Sequence, residues 1–196
     1  MIYEPQNPFI QATLKKVMEI NQSNMIIVNQ ILGNINQNSN LRKKYEEMLK
    51  NNLCEKVGIT RIESGKLRMR KSTDKKTDVA FMFEHNPNLR NNDVIYMDDN
   101  KMILLSLEPE SVVIITLKKS YENEENIFPL SIKIGHSLGN LHRPIKVTKN
   151  QVIFPLQAET ELEMLKKMFS SFNQFLDIQS ENMIFEPDEG SNIHEH

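Results

Sequence analysis

The pattern of apolar and polar positions changes period once along this chain. Over residues 25–118 the apolar residues come in short runs: Ile26-Ile27-Val28, Leu67–Met69, Val79–Phe83, Val94–Met97, Met102–Leu107 and Val112–Leu117. Turn residues bound each run, which is the signature of strands. One helical stretch interrupts them, with Leu41, Tyr45, Met48 and Leu49 on a shared face. Asp98-Asp99-Asn100 sits between Tyr96-Met97 and Lys101-Met102 and predicts a hairpin whose central residues take positive φ. Asn92 is a second candidate for the left-handed region.

From residue 127 onward the period becomes helical. Ile127, Leu130, Ile134, Leu138 and Leu141 recur every three or four residues, the spacing of one helix face. Gly139-Asn140 is the expected left-handed cap, and Pro144 forbids continuation. Ile145–Val147 and Val152–Phe154 flank Lys149-Asn150, a second hairpin. Thr160 and Glu163 read as a capping box that opens a helix carrying Leu162, Leu165, Phe169, Phe172 and Leu176. Met183–Phe185 is the expected last strand. With Val112–Leu117 or a neighbour placed first, the order is β-α-β-β-α-β, that of ferredoxin-like folds. The fold class expected is α+β: a strand-rich domain at 25–118, then a ferredoxin-like domain at 119–190. Polar residues from Lys118 to Asn126 are the expected link. Residues 1–24 stand apart as an extension, with a short amphipathic helix expected from Pro8 to Ile20. Residues 191–196 form a tail.

Composition narrows the function classes. At 196 residues the chain is one domain or two small ones. A net charge of −2 argues against a dedicated nucleic-acid binder. The single cysteine, Cys54, permits no disulfide framework within the chain and fits a reducing compartment. No apolar run approaches the ~20 residues needed to cross a bilayer. The N-terminus lacks the cationic start and apolar stretch of a secretory signal. A soluble cytoplasmic protein is expected. Residues 40–76 carry twelve Lys/Arg against five Asp/Glu, whereas residues 177–196 carry six Asp/Glu and no Lys/Arg. The basic stretch is either a solvated surface or a docking surface for an acidic partner.

Candidate chemistry centres on histidine. Only five are present, and His142 follows Leu138-Gly139-Asn140-Leu141 at the predicted helix end. His194 and His196 lie two apart in the tail, on the same side of an extended segment, with Glu195 between them. Neutral imidazole is the commonest side-chain ligand for nickel, copper and zinc. His85, beside Asn86-Pro87, is expected on a surface loop, and His136 as a partly buried, hydrogen-bonded residue. No phosphate loop, Cys-His or Ser-His spacing marks an enzyme.

Leu-Gly-Asn-x-His at a helix end resembles the signature of the UreE family of urease accessory proteins, which are nickel metallochaperones. Other segments resemble that family in order: Met25–Ile35, Leu89–Ile95 with Asp98-Asp99, Glu108–Val113, and Phe185–Gly190 leading into a histidine-bearing tail. Three positions depart from the family pattern. Asn92 stands where Gly is usual, Leu141 replaces Arg, and Ser137 occupies the place of a histidine that many relatives carry, with His136 one residue earlier. One helical step turns a side chain by about 100°, so no ligand role passes to His136. The resemblance implies a ferredoxin-like metal-binding domain and a homodimer that pairs His142 with its symmetry copy. It also implies delivery of nickel through the GTP-binding urease accessory protein UreG to the apo-urease complex. The expected metal ligands are His142, His194 and His196; the cargo is Ni(2+), with Cu(2+) or Zn(2+) as competitors. The alternative is a metal-independent RNA- or protein-binding adaptor that uses the basic 40–76 stretch.

Overall fold

Short strands, several of them buried at consecutive positions on both faces, build the sheets of the described residues, and two helices close one face of the last sheet. The computed structural model describes residues 25–118 and 127–188. The expected helix at Pro8–Ile20, most of the expected link and the tail lie outside them. The chain divides into two compact units, Met1–Leu107 and Glu108–His196.

The first unit contains β1 (Ile26–Val28), β2 (Gly33–Asn34), α1 (Ser39–Lys50), β3 (Cys54–Ile59), β4 (Arg68–Ser72), β5 (Asp78–Met82), β6 (Asp93–Met97) and β7 (Met102–Leu107). They form a three-stranded sheet, β1-β5-β4, and a four-stranded sheet, β2-β6-β7-β3. Alternation along β7 explains two cores. Ile103, Leu105 and Leu107 face a cluster with Val28, Val57 and Phe81. Met102 and Leu104 face the opposite cluster, with Ile35 and Met48 of α1. Asn38 caps α1, its side-chain oxygen accepting from the N–H groups of Asn40 and Leu41 at 3.0 and 3.1 Å.

Strand β3 was not among the expected elements. It runs parallel to β7 from Cys54↔Met102 to Ile59↔Leu107. Glu55 and Lys56 disguise it, because a strand interior disfavours charge. Glu55 is nevertheless buried; Lys101 Nζ lies 2.8 Å from its carboxylate, and Thr73 Oγ1 donates to it at 2.6 Å. The β6–β7 hairpin is present, but none of Asp98, Asp99 and Asn100 takes positive φ. Instead, Asp98 Oδ1 accepts from the N–H groups of Asn100 and Lys101 at 2.8 and 2.7 Å. Asn92 does take the left-handed region, at φ +68°.

The second unit contains β8 (Glu110–Leu117), α2 (Ile127–Gly139), β9 (Lys146–Val147), β10 (Gln151–Pro155), α3 (Glu159–Met168) and β11 (Leu176–Met183). Its sheet order is β11-β8-β10-β9, and every neighbouring pair is antiparallel. The expected boundary after Lys118 is therefore displaced: β8 lies inside this sheet, paired on both edges, and the division falls at Leu107/Glu108. Val113 and Ile115 of β8 pack under Leu130, Ile134, Leu138, Leu165 and Phe169 of the helical layer. Val112 and Ile114 pack on the other face with Ile153 and Phe185.

Two details of the α3 region differ from expectation. Ala158 is the N-cap and makes no side-chain cap bond, so Thr160 and Glu163 form no capping box. Glu161 takes the part, its Oε2 accepting from the N–H of Gln157 at 2.9 Å. The helix also ends at Met168, and Leu176 opens β11, so the last strand precedes the expected Met183–Phe185. A 3-10 turn at Ser170–Phe172 carries Phe169 and Leu176 into one core and thereby mimics helical spacing.

Candidate metal centre

The turn after α2 presents its residues alternately inward and outward. Leu130, Ile134 and Leu138 bury one face of the helix. Its end tightens: Leu141 N–H donates to Leu138 O at 3.0 Å, and His142 N–H to Gly139 O at 3.1 Å. Leu141 packs against the core. His142 is exposed and is itself the left-handed residue, at φ +49°. The expected cap at Gly139-Asn140 is thus corrected, since neither residue has positive φ. Non-glycine residues enter that region at a cost, and histidine does so more readily than bulkier side chains.

Arg143 turns inward again. Its Nη1 donates to Glu161 Oε2 and to Pro155 O, both at 2.8 Å, and its Nη2 lies 2.7 Å from Glu161 Oε1. The two side chains are 10% and 8% exposed. Arg143 Nε is buried without a hydrogen-bond partner. No sequence signal paired these residues, which lie on different elements.

The other histidines do not join His142 among the described residues. His136 is exposed rather than partly buried, with its Nε2 3.5 Å from Asn140 Nδ2. His85 is exposed, in a loop of the first unit. His194 and His196 lie outside the described residues. No group of three or more His, Cys, Asp or Glu that could hold a metal occurs among the described residues. Cys54 is buried; burial pushes its thiol pKa up against the opposing pull of Lys75 and Lys56, which keeps it protonated and a poor ligand.

Two features beside His142 went unread in the sequence. Helix α2 exposes Phe128 and Ile132, 74% and 55% accessible, and Gly135 and Gly139 follow on that side with open space beyond them. The expected face at 127, 130, 134, 138 and 141 hid this second one. The other feature is the end of the described chain. Asp188 N–H donates to Ile145 O at 3.0 Å, and Asp188 Oδ2 accepts from Val147 N–H at 2.7 Å. Residue 188 is thereby tied beside β9, a few residues beyond the His142 turn.

Much of the basic stretch is engaged within the fold. Lys71 and Lys66 pair with Glu63, Arg70 with Asp78 and Lys44 with Glu47, while Lys75 donates to Asn52 O. No helix among the described residues is long and apolar enough to cross a membrane.

Comparison with known proteins gives a consistent set of relatives. Residues 28–108 match the family model described as "UreE urease accessory protein, N-terminal domain". The match ends one residue past the end of the first unit at Leu107. A protein of Ureaplasma urealyticum named "Urease accessory protein UreE" is 30% identical over 131 residues, covering 67% of this chain and 77% of its own length. A protein of the same name from Yersinia aldovae is 26% identical over 141 residues, covering 70% of this chain and 60% of its own length. A third, from Ureaplasma parvum, is 33% identical over 84 residues, 43% of this chain and 51% of its own.

Proposed function

Because this chain belongs to the UreE family of urease accessory proteins, we propose that its part in urease maturation is to carry nickel. The observation that supports this reading is His142: an exposed imidazole on a tightened left-handed turn at the end of a helix packed into the core. Such a ligand is presented to the outside on a rigid base. One imidazole binds a divalent ion weakly, and a two-fold axis near His142 supplies a second from the symmetry copy. The exposed Phe128 and Ile132 on the same helix favour a homodimer through this face, since joining two such strips removes apolar surface from water. The unit's element order and its β11-β8-β10-β9 sheet support the ferredoxin-like assignment.

His194 and His196 would complete the coordination. They lie six and eight residues beyond Asp188, which spans at most about 20–30 Å of extended chain. Asp188 is tied beside β9, so the His142 turn is within that reach. A site of few imidazoles with open positions exchanges its ion readily, which suits a carrier. Ni(2+) is the cargo, and Cu(2+) and Zn(2+) compete for it. The strand-rich first unit docks partners; the receiver is the GTP-binding urease accessory protein UreG, which with other accessory proteins passes nickel to apo-urease in the cytoplasm. The test is urease activity in cells at limiting nickel, with the protein present, absent or carrying His142→Ala. Loss should lower activity at low nickel and be overcome by excess. Unchanged activity at every nickel level would refute delivery.

A further inference from the structure

The geometry points to the buried Arg143–Glu161 pair as the positioning device of the His142 site. This rests on the reading of His142 as a metal ligand. It extends that reading to a residue that touches no metal and to one on another helix.

Consider first what holds the turn. His142 stands in a backbone region that histidine enters at a cost, so its neighbours must over-determine the conformation. On one side Leu141 is seated in the core. On the other, the Arg143 guanidinium grips both carboxylate oxygens of Glu161 and the carbonyl of Pro155. Glu161 Oε2 also accepts the N–H of Gln157, just before the N-cap of α3. The pair therefore fastens the His142 turn to the β10–α3 connection. A planar fork on a carboxylate fixes direction as well as distance.

Stability alone gives little reason for this arrangement. A buried ion pair is often no better than apolar side chains of similar volume, and here Arg143 Nε is left without an acceptor. Orientation is what the pair adds. Charge is the second consequence. A guanidinium is always ionised, and Arg143 is the residue next to the candidate ligand of a dication. Unpaired, it would repel the incoming ion. Glu161 neutralises it.

The experiment is nickel calorimetry on the full-length protein at low and high salt, with folding checked by circular dichroism. The variants are His142→Ala, Glu161→Gln and Arg143→Met/Glu161→Gln. Glu161→Gln leaves the guanidinium uncompensated, so affinity should fall roughly tenfold at low salt and partly recover at high salt, where charges are screened. The double variant carries no charge; it should bind several-fold more weakly than wild type at both salts, because the turn is no longer fastened. That salt pattern separates positioning and charge from mere folding support. If Glu161→Gln does not fold, the double variant decides. Wild-type affinity in the folded double variant overturns the proposal, provided His142→Ala abolishes the tight event. Wild-type affinity in His142→Ala overturns the underlying reading instead.

Discussion

The first unit buries Asn34, Glu55, Thr73 and Asp93, and hydrogen bonds tie them in pairs: Asn34 to Asp93 at 2.8 Å, Thr73 to Glu55 at 2.6 Å. The second unit buries one such group among its described residues, Glu161, and sets it directly against the arginine that follows an exposed histidine. In one unit buried polarity fastens strands and loops to each other; in the other it underlies a surface group with coordination chemistry. The left-handed backbone makes the same contrast. Asn92 uses it to turn the chain into β6, whereas His142 uses it to present an imidazole. The family model matches residues 28–108, the unit without the candidate ligand. The match to the Ureaplasma urealyticum relative, over 131 residues, is longer than either unit, so membership draws on both, whereas the metal role must be argued from the second.

Substitutions in each unit should sharpen this contrast. Phe154 is fully buried in the second unit, and Phe154→Ala should cost that unit about 3–5 kcal/mol. Scanning calorimetry should show its transition lowered with the first unit's little changed. A single transition that moves as a whole would show that the two units melt as one.

Glu55 is the buried member of the carboxylates that should shape the acid response of the first unit, with Glu63, Asp78 and Asp98 also held below their ordinary range by their hydrogen-bond partners. Burial pushes the Glu55 carboxyl pKa up, but hydrogen bonds from Lys101, Thr73 and Thr77 outweigh it and hold the group below its ordinary 4.5. A depressed carboxylate contributes stability that is present above the unfolded value and lost as pH falls through the folded one. Denaturant midpoints should therefore decline below about pH 4.5. Glu55→Gln should flatten that decline and cost about 1–3 kcal/mol at neutral pH, because the amide keeps one acceptor oxygen where Lys101 and Thr73 used two, and the charge opposite Lys101 is lost. An unchanged pH profile in the variant would contradict the assignment.

His142→Gly should do two opposite things. It relieves the left-handed backbone and should stabilise the apo protein by up to ~1 kcal/mol, while removing tight nickel binding. Asn92→Gly should gain only a few tenths by the same route, roughly, since asparagine tolerates that region better. A melting temperature that falls in His142→Gly would mean the imidazole is itself a structural group. Smallest of all should be the effect on stability of deleting residues 189–196. Apo melting should stay within error, because the segment has almost no apolar content to bury, while nickel binding weakens without disappearing. A large drop in apo melting temperature would give the tail a structural part.

Much of this fold was legible. β1 and β5 to β8 lie within a few residues of their expected runs, and α1 and α2 follow their apolar spacing. What failed has common causes. β3 was hidden because a buried carboxylate is satisfied by partners eighteen and more positions away, which no local pattern reveals. The overlong helix at 160–176 arose because a 3-10 turn and a strand start can continue helical spacing into the same core. The domain boundary slipped because Glu108-Pro109 breaks the chain less conspicuously than the polar run after Lys118. At the site, the motif located His142. It gave neither the residue's own left-handed backbone nor the Arg143–Glu161 pair, since a contact between separate elements leaves no trace in spacing.

Nickel calorimetry comparing wild type with His142→Ala, on protein whose oligomeric state is fixed by light scattering, tests the metal role of His142 most directly. Wild type should take up one tight ion per dimer, and His142→Ala should lose that event while retaining weaker binding from the tail. Equal tight binding in both proteins, or one independent tight ion per chain, would contradict a nickel site shared between two copies of His142.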